Sequence, residues 1–353
     1  MGTHINMDNF RDIWESILIK ATDTYTTPPE VIHISNSAIS TLGNFSASTG
    51  KGKSKKTFNV CAIVASAITG KKVLNYEAHF PAGKRKILYF DTEQSSYHCH
   101  KVLERINRLA GYPSNYDSEL IEFVMLREYN PIDRRSIIEY ALWEHKDVGL
   151  VIIDGLRDLL FDINSSTEAA EVIGLLMRWT SQYNLHIHTV LHLNKADDNV
   201  RGHIGTELNH KAETILQVTR NEHDGNISEV QASLIRDKDF LPFAFRINDD
   251  GLPELVEGHD FRPKKQGKSF DFERLGEDVH RKALDIAFED IDKPLRYSLV
   301  LENMGKGYAQ VGFERSRNIH VKVLHFLLAN DILRKEDKGY VYNRDFHYAP
   351  QSQ

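Results

Sequence analysis

The chain of 353 residues is 41% hydrophobic and 27% charged, with a net charge of −6. That is the composition of a globular protein with room for one large domain and one small one, and it excludes collagen-like, low-complexity and disordered chains. Cys61 and Cys99 are the only cysteines, which excludes a disulfide framework, and the 17 histidines show no paired spacing for zinc.

No apolar run approaches the length of a membrane span and no signal peptide opens the chain, so a cytoplasmic protein without membrane contact is expected. The negative charge does not exclude a nucleic-acid partner, because basic residues can be concentrated on a few loops. Residues 8–21 read as an amphipathic helix, with Phe10, Ile13, Trp14, Ile17 and Leu18 on one side and Asp8 as N-cap. The run Thr26-Thr27-Pro28-Pro29 follows as a linker, which sets residues 1–29 apart. Short strands over 31–34 and 45–49 then lead into a loop of glycine and lysine.

That loop, Gly50-Lys51-Gly52-Lys53-Ser54-Lys55-Lys56-Thr57-Phe58, has the ingredients of a phosphate loop: backbone N–H groups, a lysine for the outer phosphates and a hydroxyl for Mg²⁺. It can be spelled in two registers. In the first, Gly52-Lys53-Ser54 closes the motif but Ala47 replaces the opening glycine. In the second, Gly50 opens and Lys56-Thr57 closes, with Lys55 in place of the second glycine. The flanks select the second. The strand runs straight into Gly50, and Phe58, Val60, Ile63, Val64 and Ile68 form the apolar stripe of a helix that starts at the hydroxyl and stops at Gly70. Lys53 and Ser54 are the alternative pair.

Further strands are expected over 86–91, 121–126, 149–154 and 188–193, alternating with helices over 97–110, 132–143 and 166–183. Strands over 212–218, 230–235 and 243–247 close the series at one edge. This alternation predicts a mostly parallel sheet covered on both faces by helices. Ligands of such sheets gather at the carboxyl ends of the strands. Glu93 lies just past one of those ends, where a carboxylate can orient or deprotonate water. Asp154 ends the most apolar strand, where it can hold Mg²⁺. His192 and Asn194 end the next, where a polar side chain can sense a phosphate.

These segments, with Ile87-Leu88-Tyr89-Phe90-Asp91-Thr92-Glu93, Leu150-Val151-Ile152-Ile153-Asp154, His192-Leu193-Asn194-Lys195 and Arg201-Gly202-His203-Ile204-Gly205, resemble the RecA-like ATPases. Within them the chain is similar to the branch of the RepA-type hexameric plasmid helicases, and its loop spelling resembles ATPases of Bacteroidetes mobile elements. The resemblance covers roughly residues 30–250 by strand order. It implies ATP and Mg²⁺ as cofactors, with residues 50–58 around the nucleotide, Lys56 on the phosphates and Thr57 and Asp154 on the metal. Glu93 would be the catalytic carboxylate and His192 the sensor. It further implies a ring homo-oligomer, expected as a hexamer, with single-stranded DNA in a central channel. On a mobile loop over 195–205, Lys195 and Arg201 would face that DNA, and Arg236 and Lys238 would reach a neighbour's ATP; the plain alternative for Arg236 is a surface ion pair.

A polar stretch, 261–274, separates the expected ATPase domain, 30–260, from a tail over 275–353. Helices over 280–288, 295–304 and 314–329, followed by a hairpin, predict a winged helix-turn-helix there. Arg315, Arg317 and Lys322 are its candidate DNA contacts. Its Lys and Arg barely outnumber its Asp and Glu, so DNA and protein both remain as its partners. The expected function is a DNA-acting ATPase motor for a plasmid or mobile element. A non-motor ATPase switch and a weakly hydrolysing nucleotide-binding scaffold are the alternatives.

Overall fold

The computed structural model describes residues 10–193, 202–221, 224–261, 272–291, 293–336 and 339–348. Lys195, Arg201 and most of the expected linker 261–274 lie outside them. The chain divides into two compact units, Met1–Phe261 and Arg262–Gln353.

The first unit opens with α1 (Phe10–Ile17), which is shorter than expected and buries none of its residues. β1 (Glu30–Ile34) and β2 (Ser37–Thr41) form an antiparallel pair. Then come β3 (Phe45–Gly50), α2 (Lys56–Thr69), β4 (Tyr76–Ala78), β5 (Lys86–Asp91), α3 (Ser96–Leu109) and β6 (Ile121–Met125). The unit continues with α4 (Pro131–Glu144), β7 (Val148–Asp154), α5 (Ser166–Tyr183), β8 (His186–His192), α6 (Gly202–Lys211) and β9 (Thr214–Arg220). It ends with β10 (Ile227–Ile235), β11 (Phe243–Ile247) and β12 (Pro253–Leu255).

Nine of these strands make one sheet in the order β12-β11-β10-β9-β3-β8-β7-β5-β6. From β9 to β6 every pairing is parallel, and β10 to β12 extend one edge antiparallel. The expected α/β architecture is therefore the observed one: a RecA-like, mostly parallel sheet between two layers of helices. The strands alternate between the two cores with a period of two residues. On β7, Leu150 and Ile152 join α2 and α3 in one core, while Val151 and Ile153 join α4, α5 and α6 in the other.

α2 corrects an expectation. It is not a one-sided stripe, because Asn59 through Ile68 are buried without a break. The helix lies between α3, β4 and the sheet, so an apolar sequence on all sides is what its surroundings require. Burial of Val60, Ile63, Val64 and Ile68 contributes roughly 1.5–3 kcal/mol each. Its end is as expected, with Gly70 in the left-handed region and its N–H donating to Ser66 O at 2.8 Å. α6 is a second correction. Residues 202–205 were expected in a mobile loop, but they begin a helix anchored by buried Ile204 and Leu208, one turn apart.

The second unit contains α7 (Glu277–Ala287), α8 (Tyr297–Gln310), α9 (Arg317–Ala329), β13 (Leu333–Glu336) and β14 (Gly339–Tyr342). Its core gathers Leu284, Val300, Met304, Val323, Leu324 and Leu327. Leu295, ahead of α8, exchanges main-chain hydrogen bonds with Tyr340 at 2.9 and 2.8 Å, which adds a third strand-like segment to the hairpin. The unit thus holds three helices followed by a hairpin, in the order expected from the sequence. Arg315, Arg317 and Lys322 are exposed on it.

Candidate active site

β3 delivers the chain to Gly50, and only glycine fits there. A Cβ at that position would stand 2.2 Å from Val218 O and 2.6 Å from Ser54 Oγ. The loop then closes through two non-glycine residues in the left-handed region, Lys53 and Lys55, both at φ 66°. Lys55 is the residue ahead of α2, where the usual spelling has glycine, and such a backbone costs about 1–2 kcal/mol in a residue with a Cβ. Its ammonium donates to the Asn226 carbonyl, between β9 and β10.

Lys56 and Lys53 part company at this point. Lys53 is exposed, whereas Lys56 is 5% exposed. The Lys56 ammonium folds back onto the loop, donating to Gly50 O at 2.9 Å and Lys51 O at 3.0 Å. Its third contact is His192 Nδ1 at 3.1 Å. Burial pushes the Lys56 ammonium down to about 8, against the pull of Asp154 and Glu93. Thr57, one residue on, donates its hydroxyl to Asp154 Oδ2 at 3.2 Å.

Three strand ends surround this lysine. Asp154, at the end of β7, also accepts from the Tyr89 hydroxyl at 2.9 Å. Burial, and then the neighbouring Asp91, push the Asp154 carboxyl up to about 6. Gly155 turns the chain at φ 112°, where a Cβ would meet Thr92 Oγ1 at 2.0 Å. His192 ends β8 and faces Glu93, with Nε2 and Oε1 3.5 Å apart. Because Nδ1 accepts from an ammonium, the ring proton sits on Nε2 and points at Glu93. This contact holds the Glu93 carboxyl below the usual carboxylate range. Lys56, His192 and Glu93 thus form one polar row.

A cavity of about 270 Å³ opens over the row, lined by Lys56, Thr57, Glu93, Asp154, His192 and, from α3, Arg105. The Arg105 guanidinium lies 3.8 Å from the centre of the Phe58 ring. The residues fit a metal–polyphosphate ligand. Ser54 Oγ is buried in the loop with no hydrogen-bond partner. A buried carboxyl raised by its own burial and by a second carboxylate is relieved by a cation. Among the described residues no group of three His, Cys, Asp or Glu could hold a metal ion by itself.

The sequence-based selection missed Asp91, Tyr89 and Arg105. Asp91 carried a signal, since it ends an apolar strand as Asp154 does, and the two are register partners across β5 and β7. Tyr89 and Arg105 carried none, because one reads as core and the other as a helix surface. The remaining candidates lie elsewhere. Arg236 and Lys238 are exposed beyond β10. Arg236 donates its main-chain N–H to Glu213 O at 3.1 Å and its guanidinium to Lys211 O at 3.1 Å. Glu213 is level with Phe45, at the start of β3. Arg236 is therefore roughly 16 Å down the strand direction from Gly50, at about 3.3 Å per residue.

A family model described as an AAA domain matches residues 22–198. No curated protein matches the chain. Among solved structures, the crystal structure of the RadB recombinase is similar at 13% identity and a TM-score of 0.43, over 61% of this chain and 92% of that one. The strand order, rather than that likeness, carries the fold. The family match spans half of the sequence, and the chain belongs to the AAA domain family, with a RecA-like P-loop ATPase core.

Proposed function

We propose that the protein is a Mg²⁺-dependent ATPase that acts on DNA as a ring-shaped helicase of the RepA-type branch, serving replication or mobilisation of a plasmid or mobile element. The observation that carries its ATPase part is the Lys56–His192–Glu93 row beside the Thr57–Asp154 pair. In this reading the phosphates of ATP take the place of the Gly50 and Lys51 carbonyls on the Lys56 ammonium. Residues 50–58 wrap the phosphates with their N–H groups. Thr57 and Asp154 would hold Mg²⁺, which would supply charge neutralisation at the outer phosphates. Glu93 orients the attacking water and accepts its proton. His192 touches both Lys56 and Glu93, so a shift of the ammonium toward phosphate alters the hydrogen bonding of the carboxylate.

The ring rests on Arg236 and Lys238. They are far from their own phosphate loop and exposed, which suits side chains that reach ATP on a neighbouring subunit, expected in a hexamer. Lys195 and Arg201 would contact single-stranded DNA in the channel, and Arg315, Arg317 and Lys322 would add DNA contacts from a winged-helix domain over 275–353. The strained Lys55 favours a second reading, in which nucleotide binding is kept, hydrolysis is slow, and the protein is a switch such as a replication initiator or loader. Strand displacement on a forked DNA separates the two. The motor unwinds it with ATP, hydrolyses faster with single-stranded DNA, and loses turnover but not ATP binding in Arg236→Ala. A protein that binds ATP, unwinds nothing and ignores DNA is the switch.

A further inference from the structure

Glu93 lies on a loop, yet its main chain is fixed at every step. Asp91 is 1% exposed at the end of β5. Its Oδ1 accepts from the N–H of Glu93 at 3.0 Å and from the N–H of Gln94 at 2.8 Å. Its Oδ2 accepts from the Gln94 side-chain amide at 2.6 Å. Between them, Thr92 donates its N–H to Asp154 O at 3.1 Å, and its carbonyl accepts from the Arg134 guanidinium at 3.3 Å. The carboxylate therefore closes an Asx turn that carries Glu93.

We infer that Asp91, which also lines the cavity, is the positioning residue for Glu93: it acts by holding the two N–H groups that aim the Glu93 side chain into that cavity. This rests on the proposed role of Glu93. The alternative, that Asp91 contributes its charge, makes the opposite demand on two substitutions. Asn at position 91 keeps an acceptor oxygen at the same reach and gives up the charge; the Gln94 amide can turn its own oxygen to the new NH₂. Glu at position 91 keeps the charge and carries the oxygens one methylene too far for both N–H groups.

The test is steady-state Mg·ATP turnover of the full chain as Asp91→Asn, Asp91→Glu and Glu93→Gln, with far-UV circular dichroism to verify folding. Asp91→Asn should retain most of the wild-type kcat. Asp91→Glu should lose on the order of 100-fold in kcat, the scale of a misplacement by about 1 Å, with KM for Mg·ATP nearly unchanged. Asp91→Ala takes its place if Asp91→Glu does not fold. A fast Asp91→Glu, or an Asp91→Asn as slow as Asp91→Glu, overturns the inference. Glu93→Gln separates the two levels. If it is slow while Asp91→Glu is fast, the inference alone fails; if it turns over at the wild-type rate, the role of Glu93 itself fails.

Discussion

Asp91 and Asp154 end adjacent parallel strands as register partners, and both carboxyls are buried. Burial, and then the Asp91 carboxylate beside it, push the Asp154 carboxyl up to about 6 in the free protein. In the proposed role a cation would relieve that burden, which the free protein carries at the expense of its stability.

Asp154→Asn should therefore stabilise the free protein. The folded carboxyl titrates near 6 and the unfolded one near 4, so the native state loses stability as pH rises from about 4 to about 6. At pH 7 the substitution should raise unfolding free energy by about 3 kcal/mol, with the gain gone below about pH 4. The amide oxygen can still accept from Tyr89 and Thr57. Urea unfolding at pH 7 and pH 4 checks this; equal or lower stability at pH 7 contradicts it, whatever happens to turnover.

The pH dependence of nucleotide binding follows from the same two groups. Phosphate needs the charged Lys56 ammonium, which is lost above about pH 8 in the free protein. The cation needs the ionised Asp154, which is lost below about pH 6. Affinity for a non-hydrolysable Mg·ATP analogue should be highest between these values and fall on both sides. Titration calorimetry from pH 5 to pH 9 measures it, and a flat profile would show that neither group changes protonation on binding.

Lys55 gives a prediction about strain. Glycine adopts the left-handed conformation freely, and alanine does not. Both substitutions remove the tie to Asn226. Lys55→Gly should then be more stable than Lys55→Ala by about 1 kcal/mol. Thermal or urea unfolding of the pair decides it, and the reverse order would mean the loop relaxes out of that conformation when the tie is lost.

How much of this was legible in the sequence differs from element to element. α5 and β11 occur over the residues their periodicity predicts, and the four apolar residues ahead of Asp154 identify β7 as a buried strand. β8 starts two residues earlier than expected, because His186 looks polar; His188, further along the strand, is another polar-looking residue that is buried. They are buried with hydroxyl partners on β3: Ser46 lies 2.7 Å from His186 and 2.8 Å from His188, and Ser48 lies 2.8 Å from His188. No hydropathy pattern shows such pairing. β4 and β12 are three residues each, too short to have a period. In the site, the strand-end positions of Glu93, Asp154 and His192 could be read in advance. The left-handed lysines and the Asx turn at Asp91 could not, because they arise from how the loops are closed against the ends of β7 and β9.

The central claim is that this phosphate loop is spelled with Gly50 first and Lys56 last. Lys56 is buried between the loop carbonyls and His192, and Lys53 is exposed. The most direct measurement is Mg·ATP binding and turnover in Lys56→Ala and Lys53→Ala, side by side. Lys56→Ala should lose both, and Lys53→Ala should keep most of each. Loss in Lys53→Ala with Lys56→Ala still active would contradict the account and give the site to Lys53 and Ser54.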